Sequence, residues 1–159
     1  LCQRPVRELE NYLKEKAVYT DVFIGKKQAL TCIQGRMIDL SVTVMGKAYD
    51  KWTLYLAAGE KHYSTITYDR KAEVLTLDRT YSGVHWNIVH NRSMAVKAEE
   101  ELSLRILMDR YTVEIFAEGG AKVFSALIYT ENEAEGIFFE SDGEAVMDVT
   151  AKEIVLEEQ

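Results

Sequence analysis

Proline is almost absent from this sequence, and long apolar runs are absent altogether. One proline and nine glycines among 159 residues exclude collagen-like stalks and Gly/Pro-rich linkers. No apolar run approaches the roughly 20 residues that a membrane-spanning helix needs, so no membrane contact is expected. Hydrophobic residues still make up 47% of the chain, which is enough to form a folded core.

Cysteine and histidine are too few and too scattered to indicate a metal site. The two cysteines, Cys2 and Cys32, do not form a CxxC pair, and the sequence leaves open whether they form a disulfide bond. Structural zinc usually takes four clustered ligands, so no metal is expected. No glycine-rich phosphate loop precedes a helix, so no cofactor is expected.

Basic residues are scarce in the second half of the chain. Lys and Arg total 19 against 26 Asp and Glu, which gives a net charge of −7. Residues 1–80 carry 13 basic and 10 acidic side chains, and residues 81–159 carry 6 and 16. Nucleic-acid binding rests mainly on phosphate contacts, so no nucleic-acid partner is expected. The acidic half is interpreted as solvated surface, with a partner-docking face as the alternative.

Most of the chain alternates apolar and polar residues with the period of two that is typical of half-buried strands. Ten or eleven short strands with regular turns predict an all-β sandwich or barrel. Residues 81–101 show no period and are predicted to be irregular. The predicted strands are 37–45, 52–57, 62–68, 73–78, 102–108, 111–117, 123–129, 137–140 and 145–156, with weaker runs at 18–24 and 28–33.

Glycine-containing turns are predicted to close hairpins between these strands. The strongest is 118–120, because two consecutive glycines accept the positive φ that a tight hairpin turn requires. The turns at 46–50, 58–61 and 142–143 are interpreted in the same way. Before the strands, Val6, Leu9 and Leu13 recur at helical spacing after Pro5, which predicts a short amphipathic helix at about residues 5–16.

Residues that could carry catalysis are few. Aspartates at strand ends, Asp78 and Asp109, could form the carboxylate pair of a glycosidase, but turn capping accounts for them better. Glu114 alternates within an apolar strand; facing inward it would need a partner, and facing outward it would be ordinary surface. No catalytic residue is therefore predicted. Tyr81 and Trp86, in the irregular segment, are the candidates for an exposed sugar contact.

Three segments in order resemble the C-terminal β-sandwich of glycoside hydrolase family 32, the β-fructosidases that include invertases, levanases and sucrose-6-phosphate hydrolases. Residues 102–116, with the glycine turn and return strand up to 125, resemble the family's Val-Glu-[Val/Ile]-Phe hairpin. Residues 75–80 resemble its Leu-x-Leu-Asp-Arg-[Ser/Thr] stretch, and residues 3–9 its interdomain connection. The resemblance assigns structural roles to Asp78, Arg79, Asp109, Glu114, Phe116, Gly119, Gly120 and Phe124.

The family's catalytic motifs are missing from this chain. The resemblance places catalysis in an N-terminal five-bladed propeller whose nucleophile and transition-state stabiliser both lie in Asp-Pro steps. The only proline here, Pro5, follows Arg4, so neither step exists, and the acid's Glu-Cys pair is absent too. The expected enzyme is a retaining glycosidase whose catalytic residues all lie outside this chain.

The resemblance implies a linker helix at 1–17 and a two-sheet antiparallel β-sandwich of about ten strands at 18–159. The expected function is a non-catalytic module that braces the catalytic β-propeller of the same chain, in an enzyme acting on sucrose, inulin or levan. The alternative is a lectin-like module that itself binds fructan or another glycan. Homo-oligomer formation, direct sucrose or fructan binding and the compartment stay open.

Overall fold

A computed structural model describes residues 1–83 and 89–156. Within these ranges the chain forms eleven β-strands, and no helix is long and apolar enough to cross a bilayer. Two short 3₁₀ helices span Arg7–Tyr12 and Glu118–Gly120. The strands are β1 (Leu13–Ile24), β2 (Ile38–Ala48), β3 (Lys51–Ala58), β4 (Ser64–Asp69), β5 (Val74–Asp78), β6 (Asn91–Ala95), β7 (Glu101–Met108), β8 (Thr112–Ala117), β9 (Lys122–Leu127), β10 (Gly136–Ser141) and β11 (Glu144–Ile154).

The strands pair into two antiparallel sheets. The six-stranded sheet has the order β1-β11-β2-β7-β8-β9, and the five-stranded sheet has the order β10-β3-β4-β5-β6. The inner faces of the two sheets meet in one continuous apolar cluster. The predicted all-β fold, an antiparallel two-sheet sandwich of about ten strands, is confirmed.

Strict alternation decides which side chains enter the core. Along β2 the residues at even positions from Ile38 to Val44 are buried, while Ser41 and Thr43 face outward. The largest fully buried side chains, Trp52, Tyr68 and Phe139, come from the five-stranded sheet. Full burial of a Phe side chain such as Phe139 stabilises the fold by about 1.5–3 kcal/mol.

The predicted helix at 5–16 is wrong in length and type. A single 3₁₀ helix covers Arg7–Tyr12, it buries no residue, and Val6 is 70% exposed. Strand β1 begins at Leu13 and pairs with β11 from Leu13 opposite Ile154 to Ile24 opposite Ala145. This long-range pairing overrides the weak local helical spacing, because three apolar residues cannot stabilise so short a helix. The interdomain role of residues 1–17 stays a prediction.

Two of the four predicted hairpins are wrong. The turns at 58–61 and 118–120 join paired strands, β3 with β4 and β8 with β9. The turns at 46–50 and 142–143 instead carry the chain between sheets, since β2 and β11 lie in one sheet and β3 and β10 in the other. The weak run at 28–33 forms only an isolated bridge at Gln28, and the segment predicted to be irregular contains β6.

Substitution of Gly120 tests how the amino-terminal segment is held. A Cβ added at Gly120 would lie 2.0 Å from the carbonyl oxygen of Gln3, and the residue has a φ of +92°. Its neighbour Gly119 has a φ of +65° but open space around it. We expect Gly119→Ala to lower the free energy of unfolding by about 1–2 kcal/mol, through backbone strain alone. Gly120→Ala should lower the free energy of unfolding further, and it should expose the amino-terminal segment to tryptic cleavage after Arg7.

Urea unfolding of both variants and timed proteolysis measure these two effects. Equal losses of stability, with cleavage at the rate of the unsubstituted chain, would show that Gln3 is not held against the β8–β9 turn.

Candidate functional site

Asp78 and Asp109 lie at strand ends, where their carboxylates cap turns. Oδ1 of Asp109 accepts hydrogen bonds from the N–H groups of Tyr111 and Thr112, both at 2.8 Å. Oδ1 of Asp78 accepts one from the N–H of Thr80, also at 2.8 Å. These are Asx-type turns, in which the side chain replaces a backbone acceptor. The geometry favours the structural roles predicted for both aspartates.

Arg79 is a buried arginine that joins the edges of the two sheets. Its side chain donates from Nη1 to the carbonyl of Leu127 and from Nη2 to the carbonyl of Val89, both at 2.9 Å. Its Nε is buried and has no hydrogen-bond partner among residues 1–83 and 89–156. The guanidinium therefore fixes the end of β9 beside the segment that leads into β6.

Arg36 is a second buried arginine, which the sequence did not single out. Its Nη1 donates to Oγ1 of Thr130 and to the carbonyl of Glu131, both at 2.8 Å, and its Nη2 donates to the carbonyl of Arg110. Desolvation lowers the pKa of Arg36. In sequence it resembles an ordinary polar residue before a strand, so no local signal indicates its burial.

A charged network fastens the first 3₁₀ helix to the outer face of the six-stranded sheet. Asp39, only 3% exposed, accepts hydrogen bonds from Nε and Nη2 of Arg105 at 3.0 and 2.5 Å. Nη2 of Arg105 also lies 3.1 Å from Oε1 of Glu10. The hydrogen bond to Asp39 is the main cause that raises the pKa of Arg105. These contacts hold the first 3₁₀ helix on the sheet, although the helix has no buried row of apolar side chains.

Glu114 and Phe116 both face outward from β8, because Val113, Ile115 and Ala117 occupy the inner face. Phe116 is nevertheless only 8% exposed, and it lines a groove of 430 Å³ together with the amino-terminal residues 3–5. Phe124 lies on the inner face opposite Ile115 and belongs to the core. The side chain of Glu114 is part-exposed, and no hydrogen bond or ion pair joins it to any described residue.

Tyr81 belongs to a cluster of tyrosines on the outer face of the five-stranded sheet. Its ring stacks on Tyr63 with centroids 5.3 Å apart and planes at 25°, and it is 57% exposed. Tyr63 contacts Tyr55 at 5.5 Å, and Nζ of Lys27 lies 3.9 Å from the Tyr55 ring centroid. Trp86, the other predicted sugar contact, lies outside the described residues. The sugar-contact role of both stays a prediction.

The part of the chain that the structure describes holds no group of three or more His, Cys, Asp or Glu side chains able to bind a metal ion. Cys2 and Cys32 are both free and exposed, which answers the question that the sequence left open.

Tyr55 provides a pH-dependent test of the tyrosine cluster. Its hydroxyl donates to Oε2 of Glu140 at 2.6 Å. Desolvation first, then the hydrogen bond to Glu140, raises the pKa of Tyr55 to about 12. Because the folded-state pKa lies above the usual 10.0, this contribution to stability is fully present below pH 10 and is lost as the pH rises through about 12.

Burial also raises the pKa of Tyr49 and of Tyr68. Spectroscopic titration of tyrosine ionisation should therefore show a late component that is smaller by one tyrosine in Tyr55→Phe. In Glu140→Gln the Tyr55 hydroxyl should titrate earlier, because the negative charge is removed while the burial remains. Identical titrations of the Glu140→Gln variant and the unsubstituted chain would contradict the assignment.

Comparisons with known proteins identify the family. The model described as "Glycosyl hydrolases family 32 C terminal" matches residues 8–155. Sucrose-6-phosphate hydrolase of Escherichia coli is 32% identical over 149 residues, which are 92% of this chain and 30% of that protein. Sucrose-6-phosphate hydrolase of Staphylococcus xylosus is 26% identical over 138 residues, 86% of this chain and 28% of that one.

The solved exo-inulinase of Aspergillus awamori has the same fold over this region. Its TM-score is 0.86 at 18% identity, with 97% of this chain and 32% of that chain covered. This chain spans only 28% and 30% of the two curated relatives, so it corresponds to one portion of each. The family match over nearly the whole length is decisive, and the chain belongs to the C-terminal domains of family 32 glycosyl hydrolases.

Proposed function

We propose that this chain is the non-catalytic C-terminal module of an enzyme that hydrolyses β-fructofuranosides of the sucrose, inulin or levan type. Its task in that enzyme is to brace an N-terminal catalytic β-propeller. The observation that carries this proposal is the match of the family's C-terminal model to residues 8–155. The names of the relatives, two sucrose-6-phosphate hydrolases and an exo-inulinase, support the substrate class.

The aspartates cap turns, and this structural role supports a non-catalytic module. A glycosidase needs two carboxyl groups that face one another across a bound sugar. Asp78 ends β5 of the five-stranded sheet and Asp109 follows β7 of the six-stranded sheet, and both are engaged as turn caps. Glu114 lies on an open sheet face rather than in a closed cleft. None of these carboxylates has the surroundings of a general acid or a nucleophile.

Removal of the module from the whole enzyme is the direct test of bracing. We expect deletion of residues 13–156 to shorten the half-life of the sucrose-hydrolysing activity at elevated temperature, because the catalytic domain loses an interface. The KM for sucrose should change little, because no substrate contact is removed. The purified module should release no fructose from sucrose, inulin or levan. Fructose release by the module, abolished in Asp109→Asn, would contradict the non-catalytic assignment.

Glycan binding is a second candidate function, favoured by one observation. The Tyr63–Tyr81 stack leaves the Tyr81 ring more than half exposed. Elsewhere in the same cluster the Lys27 ammonium lies over the Tyr55 ring, and the Glu140 carboxylate accepts a hydrogen bond from the Tyr55 hydroxyl. Sugars commonly rest on exposed aromatic rings while polar neighbours hydrogen-bond their hydroxyls. The cluster could therefore hold one fructosyl or other glycosyl unit against the outer face of the five-stranded sheet.

Calorimetric titration with sucrose and with inulin and levan oligosaccharides tests this second candidate. If the cluster is a site, millimolar or tighter binding should be lost in Tyr81→Ala and in Trp86→Ala. Tyr111→Ala is the matched control, because Tyr111 has the same 57% exposure but lies outside the cluster. The absence of heat with every sugar would leave bracing as the single proposed function.

A further inference from the structure

The outer face of β8 and β9 gathers features that the sandwich itself does not use. On this face Glu114 lies opposite Ser125, and Thr112 lies opposite Leu127. Together with Val89, which precedes the edge strand β6, and Arg92, which lies within it, they form what we call the β8–β9 patch. Its members are Val89, Arg92, Thr112, Glu114, Ser125 and Leu127, which line an open concavity of 620 Å³.

The apolar part of the β8–β9 patch is contiguous and exposed. Val89 is 72% exposed and Leu127 is 49% exposed. Arg79 holds them together, because its two Nη groups bind the carbonyls of these two residues. The carbonyl of Tyr111, itself 57% exposed, accepts a hydrogen bond from the N–H of the residue after Leu127 at 2.7 Å. Grouped apolar exposure on a soluble domain marks a contact surface.

The polar part of the β8–β9 patch includes two charged side chains, Glu114 and Arg92, that form no ion pair with any described residue. Glu114 is part-exposed and has no partner among the described residues. Nη1 of Arg92 reaches only the carbonyl of Ser125, at 3.5 Å, so its charge is not paired with a carboxylate in the described part of the chain. Interfaces between domains of one chain combine such charges with apolar contacts over about 600–1,500 Å². The patch therefore has the mixed chemistry of a domain interface.

The amino-terminal segment lies on this same face. The N–H of Gln3 donates to the carbonyl of Gly120 at 2.8 Å, and residues 3–5 line one groove with Phe116, two positions along β8 from Glu114. A domain joined through this segment would reach the sandwich beside the patch. The relatives carry about 70% of their length outside the matched region, which supplies such a domain.

We infer that the β8–β9 patch is the surface on which the catalytic domain of the same chain docks. Glu114 meets a basic or hydrogen-bond-donating group of that domain, and Val89 and Leu127 meet apolar side chains. This inference rests on the proposed bracing function and specifies where bracing occurs. The two segments that resemble the family, around Arg79 and around Glu114, both contribute to this surface.

The test uses the full-length enzyme and scanning calorimetry. Leu127→Glu and Glu114→Lys are expected to lower the unfolding temperature of the catalytic domain by several degrees, or to separate its unfolding transition from that of the sandwich. Glu114→Lys is the cleaner variant, because it breaks no contact within the described part of the sandwich. Val18→Glu is the matched control, since Val18 is 53% exposed on β1, five strand spacings or about 24 Å from β9. The control should leave both transitions unchanged.

Two outcomes separate the inference from the function on which it rests. If both patch variants behave like Val18→Glu while deletion of residues 13–156 still lowers the catalytic transition, the domain docks elsewhere and the inference is overturned. If the deletion leaves the catalytic transition unchanged, the bracing function fails and the docking surface fails with it. Circular dichroism of each variant confirms that the sandwich has folded.

Discussion

The apolar core between the two sheets is the contact on which every other part of this molecule depends. Most strands place alternate residues in it, so the six-stranded sheet contributes side chains such as Leu40 and Ile106 while the five-stranded sheet contributes Trp52 and Phe139. Neither sheet is stable with that face in water. Once the inner faces are joined, the outer faces are left for contacts that do not determine the fold. The amino-terminal segment, the tyrosine cluster and the β8–β9 patch all occupy outer faces.

Two kinds of force hold the molecule together, and they are separated in space. The interior is held by apolar burial, while the connections and the segment outside it are held by buried or half-buried arginines. Arg36 and Arg79 bind backbone carbonyls at loop and strand ends, and Arg105 pairs with Asp39 beneath the first 3₁₀ helix. Breaking one partner of a buried pair leaves an uncompensated charge, which is costly. Such contacts are therefore suited to fixing loops in one arrangement on an otherwise conventional sandwich.

The strands were predictable because the period of two is a local signal, which β2 shows from Ile38 to Val44. Sheet membership was not predictable, because a turn such as 142–143 has the same local chemistry whether the next strand pairs with the last or crosses to the other sheet. Strand β6 was missed because it is a short, largely exposed edge strand with no apolar alternation. Glu114 could be placed in a strand, but only the structure shows its outward face, and the burial of Arg36 has no local signal in the sequence.

The central claim is that this module serves a larger enzyme, and the mass of the native polypeptide in its source cells tests it most directly. An antibody raised against this chain would detect that polypeptide after denaturing electrophoresis. The shares of 28% and 30% in the relatives predict a species about three times the 18.2 kDa of this chain. A single species near 18 kDa would contradict the account, because a brace without a catalytic domain has nothing to stabilise.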